Sequence, residues 1–229
     1  MRSRIRIAGI VLGSMTAAAA GAVTVETVVA FRASRAERRR ALPGDSVVRD
    51  PMFTTTQMVT IDAPPDRVWP WLAQMGAGRG GWYSWDRIDN GGHPSANSIV
   101  PGFQHIAPGD LMPAIPGATD AFVVAAVEPL RDLVLTVPEP GAGTRVSWEF
   151  LLEPLDHGRT RLVVRGRVSR RWLQATPDHS ASPGGPIFIE RVYGVLARLP
   201  RSLLVAVGGF GHRVMQNRQL RGIKHRAEA

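Results

Sequence analysis

The sequence predicts an α+β domain in which an antiparallel sheet of about seven strands curves around a long C-terminal helix. Two short helices follow the first strand, and a membrane-spanning helix precedes the domain. Three observations carry this. Between residues 103 and 168, β-rich runs follow one another with turn residues between them and no helical pattern, so neighbouring strands must be antiparallel. From Ile187 the pattern changes: Val192, Val195, Leu196, Leu199, Leu203 and Val207 recur at three- and four-residue steps, one apolar helical face. A sheet with one apolar face must be covered, and this helix is the only element long enough to cover it.

The elements follow in order. Ile7 to Val25 is 19 residues without a charge, enough to span the ~30 Å hydrocarbon core as a helix. Apolar character continues through Val28, Val29 and Phe31, past any cut near Ala18–Ala22, which favours an anchor over a cleaved signal. Residues 1–31 are therefore read as a single-pass anchor or uncleaved signal. Arg2, Arg4 and Arg6 before the span and five arginines after it, Arg32 to Arg40, place the following domain on the cytoplasmic side. Residues 32–50, Arg-rich and ending in LPGDS, read as a linker, and the domain occupies 51–229.

Thr56 to Ile61 is the first strand. Asp62 is placed to cap a helix opened by Pro64–Pro65 and ended by Gly76, with a second short helix over Tyr83 to Ile88. Strands are then expected at Phe103–Ala107, Asp110–Pro113, Ala121–Glu128, Asp132–Val137, Thr144–Glu153 and Thr160–Val168. Turns are expected at PEPGAG (138–143) and DHG (156–158). Residues 173–186 form a polar Pro/Gly/Ser loop. Pro200 and Gly208–Gly209 are expected to kink the last helix.

The net charge of +9 is uneven: +6 over residues 1–40, −3 over 41–186 and +6 over 187–229. A nucleic-acid binder carries its charge on the folded face, so basic flanks point away from nucleic acid and either to an anionic membrane or to arginines that merely solubilise two helices. The chain has no cysteine, which excludes disulfides, thiolate metal sites and cysteine nucleophiles.

Four of the six tryptophans, Trp69, Trp71, Trp82 and Trp85, fall with Tyr83 in IDAPPDRVWPWLAQMGAGRGGWYSWDRIDN (61–90), as in the wall of an apolar cavity or a dense core. This stretch resembles the opening of SRPBCC (START-like, helix-grip) proteins of the polyketide cyclase/dehydrase-like branch. The ending, HRVMQNRQLRGIKHRAEA, resembles theirs too. The resemblance covers residues 52–229. It implies a hydrophobic tunnel between sheet and C-terminal helix. The implied function is binding or carrying a lipid, quinone or polyketide-like molecule without a cofactor; the alternative is a cyclase, dehydratase or hydrolase on a polyketide-like or aromatic substrate. It implies no shared catalytic motif.

Candidate residues follow from the chemistry. Gly76, Gly78 and Gly81 spell G-x-G-x-x-G, but a helix precedes them where the dinucleotide motif needs a strand, so they read as a connector. Asp86 and Asp89 share a helix face and are acid–base candidates, set against ion pairing with Arg79 or Arg87. His105 is the leading polar ligand contact and third acid–base candidate; His93, His105 and Asp110 match no metal-ligand spacing. Trp148 is expected to face the cavity with Glu149 opposite, and Phe150 to lie on the side away from Trp148. Arg165 faces outward. The expected ligand contacts are Trp71, Trp82, Tyr83, Trp85, His105 and Trp148, with no metal. No G-x-S-x-G, H-E-x-x-H or P-loop is present, which favours binding over catalysis.

Overall fold

The computed structural model describes residues 31–115, 121–139, 143–170 and 200–229. The described elements are α1 (Arg35–Arg39), β1 (Pro51–Ile61), α2 (Pro65–Ala73), α3 (Asp86–Asp89), β2 (Leu111–Pro113), β3 (Ala121–Glu128), β4 (Asp132–Glu139), β5 (Gly143–Leu155), β6 (Arg159–Ser169) and α4 (Arg201–Glu228). The six strands form one antiparallel sheet in the order β1-β6-β5-β4-β3-β2. Period-two alternation sorts its side chains. Val59, Ile61, Leu133, Leu135, Phe150, Leu152, Leu162 and Val164 form the inner face, packed with Leu72, Leu220 and Ile223 from α2 and α4.

Among the described residues six strands stand where about seven were expected. Phe103–Ala107 is not a strand: Pro101–Phe103 is a 3-10 turn, and the Phe103 carbonyl accepts from Arg79 Nη2 at 3.3 Å. Backbone groups bonded to side chains do not enter a ladder, and Pro108 truncates the run. Asp62 does not cap α2; its N–H donates to Glu228 Oε1 at 2.7 Å, and Pro64 holds the N-cap position. The second short helix is confined to Asp86–Asp89, because Tyr83 takes a left-handed φ of 59° that a helix excludes. Helix α4 runs unbroken through Gly208–Gly209, with Pro200 at its N-cap. Gly209 has a packing role, since a Cβ there would meet the Phe53 ring at 2.6 Å. The apolar positions expected at 192–199, the loop at 173–186 and the candidate span Ile7–Val25 lie outside the described residues. Among the described residues no helix is long and apolar enough to cross a membrane.

The segment expected as a linker, 32–50, packs against the outer face of the sheet. Leu42 joins Leu151, Val163 and Met58 in a small outer core. Arg165 faces outward as expected, yet it is only 2% exposed. Its guanidinium donates to Asp45 Oδ2 (2.8 Å), Thr56 Oγ1 (3.1 Å) and the carbonyls of Arg40 (2.7 Å), Glu37 (3.0 Å) and Arg38 (3.4 Å). Arg167 adds a 2.7 Å ion pair to Asp45 and donates to the Val48 carbonyl. The planar five-donor fork of arginine suits such a carbonyl-rich site.

Glu149 lies beside Arg165 in the cross-strand register and accepts from the Gly44 N–H at 3.1 Å. Burial, with Asp132 and Asp45 nearby, pushes its carboxyl up to about 7; burial and Glu128 push Asp132 up to about 6. A carboxyl whose folded pKa is raised stabilises the fold fully below its unfolded pKa and loses that contribution as pH rises through the folded value. The protein should therefore lose stability between about pH 4.5 and 7 through Glu149. Glu149→Gln should raise stability at pH 8 by on the order of 1–3 kcal/mol and flatten the profile. Urea unfolding at pH 5 and pH 8 measures this; an unchanged pH 8 midpoint would show that Glu149 ionises without cost.

Candidate functional site on the inner face

The inner face carries an aromatic cluster at its centre. Trp82 stacks on Trp148 with centroids 5.4 Å apart and planes at 26°, and Phe122 lies 5.3 Å from Trp148. Phe150 lies 4.9 Å from Trp148 on the same face, because residues two apart on a strand share a side; the expectation that it points away is corrected. Trp148 is half-buried although rings surround it.

A polar seam from α4 lies over this cluster. Trp148 Nε1 donates to Gln216 Oε1 at 2.8 Å, and Gln216 Nε2 donates to Gln219 Oε1 at 2.7 Å. Gln57 on β1 donates to Asn217 Oδ1 and to the Arg213 carbonyl. Gln57, Gln216, Asn217 and Gln219 are each 3% exposed or less. Buried carboxamides are tolerated when bonded, and these bond within the helix and across to the sheet, with Gln57 Oε1 left unbonded.

His212 completes the seam. Across the sheet, Leu135, Trp148, Gly166 and Thr55 are register partners. The missing side chain at Gly166 makes room for the imidazole, since a Cβ there would lie 3.2 Å from His212 Nε2. The ring stands edge-on to Trp148 with centroids 6.1 Å apart. Burial, with Arg213 adding to it, pushes its pKa down to about 4, so it is neutral at pH 7. Sequence reading passed over His212, Gln216 and Gln219; the signal was the polar run QNRQ inside an otherwise core-forming helix.

The expected contacts separate. Trp82 and Trp148 meet in the cluster. Trp71 and Tyr83 form their own edge-to-face pair at 5.9 Å, with Arg226 over the Tyr83 ring. Both rings are buried, and desolvation raises the Tyr83 hydroxyl pKa. Trp85 is half-buried at the start of α3. His105 and His93 are exposed, and Asp110 Oδ2 accepts from the Ala107 N–H at 2.8 Å. Among the described residues no group of three or more His, Cys, Asp or Glu is placed to hold a metal ion.

Asp86 accepts from Ser95 Oγ at 2.5 Å. Asp89 keeps Oδ1 buried without a hydrogen bond, and burial with the nearby Asp86 pushes its pKa up to about 7. Arg79 pairs with neither aspartate. Its guanidinium donates to the carbonyls of Ala73 and Met75 and stacks on Phe103, closing the C-terminus of α2. In the glycine loop, the N–H groups of Gly76, Ala77, Arg79, Gly80 and Gly81 all donate to backbone carbonyls, so that loop has no array of free amides for a phosphate.

A six-stranded antiparallel sheet with an unbroken C-terminal helix against its inner face is the helix-grip arrangement. It is the arrangement that the resemblance to SRPBCC proteins implies. Solved structures similar to the chain include DynU16, a putative protein in the dynemicin biosynthetic locus, at 20% identity and TM-score 0.35 over 73% of this chain. The match covers 46% of DynU16, under half of that protein's length. The aromatase/cyclase ZhuI of Streptomyces sp. R1128 is similar at 16% identity and TM-score 0.33, covering 77% of this chain and 93% of that one. A Polyketide-cyc-like protein of Corynebacterium glutamicum is similar at 19% identity and TM-score 0.33, covering 67% and 88%. Likenesses this loose carry no argument about the helix-grip domain's ligand or reaction. No family model and no curated protein matches the chain.

Proposed function

We propose that the domain binds a hydrophobic small molecule, a lipid, quinone or polyketide-like compound, between sheet and α4, and that the apolar N-terminal segment holds it at a membrane with the domain on the cytoplasmic side. The observation that carries the binding reading is Trp148: a tryptophan at the centre of an aromatic cluster, its N–H already bonded, that keeps accessible surface. An indole so placed offers an apolar ligand a flat contact at no hydrogen-bond cost. The membrane reading is supported by the uncharged run Ile7–Val25 between arginines.

Native mass spectrometry of the purified chain should show a co-purifying apolar species. Trp148→Ala should reduce its occupancy about tenfold or more, the scale of losing one aromatic contact. In cell fractionation the full chain should sediment with membranes and a chain starting at Phe31 should not. Phe31 is the appropriate start because a later cut removes the Glu37 to Arg40 carbonyls that Arg165 holds. A ligand-free protein, or uncleaved full chain in the soluble fraction, sinks the respective half of the reading.

A second reading, acid–base catalysis on a polyketide-like or aromatic substrate, is favoured by Asp89 alone. A carboxyl raised to about 7 with a free buried oxygen suits proton transfer near neutral pH. Asp86 is already bonded and His105 faces solvent, so neither serves it.

A further inference from the structure

We propose that His212 selects the ligand, accepting a hydrogen bond from a hydroxyl group on an otherwise apolar, uncharged molecule. This rests on the inner-face binding reading above and adds the ligand's polar group to it.

Gln57, Gln216 and Asn217 accept or donate within the protein, and Gln219 does too. Gln57 keeps its Oε1 unbonded, and His212 has no hydrogen-bond partner at all among the described residues, although its ring lies over Gly166 and beside Trp148. A half-buried imidazole without a protein partner is left able to bond a ligand. The residue also keeps some accessible surface while protein atoms shield its ring from bulk water. That combination describes a side chain bordering an internal space.

The chemistry of the partner follows from the charge state. Among the described residues Arg213 is the charged group that acts on the ring, it disfavours the imidazolium, and no carboxylate counters it. A carboxylate or phosphate ligand draws its affinity from a cation, which a neutral imidazole does not provide. A hydroxyl matches it, donating to the unprotonated nitrogen. The absent side chain at Gly166 lets the ring sit against the sheet, because a Cβ there would stand 3.2 Å from Nε2 and 3.1 Å from Thr55 Oγ1.

The test uses the purified full chain and two matched probe pairs, 2-naphthol with its methyl ether and 2-decalol with its methyl ether, read by quenching or shift of tryptophan fluorescence. Each hydroxyl probe should bind about tenfold tighter than its ether, the scale of one hydrogen bond in a buried site. The aromatic and saturated pairs distinguish a phenol from an aliphatic alcohol as the source of the hydroxyl. In His212→Phe, which keeps a ring in place, both members of a pair should bind equally. Equal binding of alcohol and ether to the wild type, or a preference that survives His212→Phe, overturns the role of His212 while leaving the binding site standing. Failure of all four probes to bind overturns the site itself. Should His212→Phe fold poorly, nitrogen NMR of the wild-type imidazole decides: 2-naphthol should shift a ring nitrogen and its methyl ether should not, and equal shifts overturn the proposal.

Discussion

Replacing Arg165 with alanine should cost about 3–5 kcal/mol, the range for removing one partner of a buried ion pair. The residue is 2% exposed and its guanidinium serves one carboxylate, one hydroxyl and three carbonyls. Alanine strands all of them, and it leaves the Asp45 carboxylate with Arg167 and the Leu42 N–H. For a domain of this size that loss lowers Tm by roughly 6–20 °C. Arg165→Lys keeps the charge but not the planar fork and should recover only part. Because residues 32–50 are held largely through this side chain, Arg165→Ala should also speed tryptic cleavage among Arg35, Arg38 and Arg39. Thermal unfolding and limited proteolysis check both; a loss under about 1 kcal/mol would mean that the outer segment is held by Leu42 and its apolar neighbours instead.

Gly222→Ala should destabilise the protein by about 2 kcal/mol or more, against the sign that helix propensity predicts. In an exposed helix alanine would be favoured over glycine by ~1 kcal/mol. Here a Cβ would stand 2.3 Å from the Tyr83 carbonyl oxygen and 2.9 Å from Tyr83 Cβ. Backbone cannot yield as a side chain can. The Tyr83 N–H is held by Ser95 Oγ at 3.1 Å, and Ser84 Oγ is bonded to the Met215 carbonyl of α4 itself. Gly209→Ala is the internal comparison. Its Cβ would meet the far edge of the Phe53 ring, which can rotate aside, so its cost should be clearly smaller. Denaturant midpoints of the two variants decide; equal or stabilising effects would show that α4 shifts freely over the 83–84 loop.

Much of the fold was legible in local pattern. Ala121–Glu128 matches its strand from end to end, and Asp132, Thr144 and Thr160 fall at or within one residue of true strand starts. These runs alternate over eight or more residues between turn residues, so local propensity and burial agree. Where they disagreed, the reading failed. Phe103–Ala107 has strand composition, but its backbone is bonded by Arg79 and by its own 3-10 turn. Gly208–Gly209 has a breaker's composition, but packing against Phe53 carries the helix through it. The segment 32–50 reads as a linker because its anchors, Arg165 and Glu149, lie more than 100 residues further along the chain.

The candidate site divides in the same way. The inner-face position of Trp82 and Trp148 was legible because large aromatics in an apolar stretch pack inward. His105 and Trp85 shared that composition and ended at or near the surface. His212, beside an exposed arginine in a polar run, looked like a solvated helix face; its burial depends on a glycine on β6 and a tryptophan on β5, which only the sheet register brings beneath it. By itself the sequence determined the order of elements, the antiparallel sheet and the aromatic character of its inner face, because each follows from spacing along one stretch of chain. Only the tertiary structure decided which polar groups are buried, which of them lack a partner and what the outer face is covered by. Those properties belong to pairs of residues far apart in sequence, and a one-dimensional pattern carries no record of who meets whom.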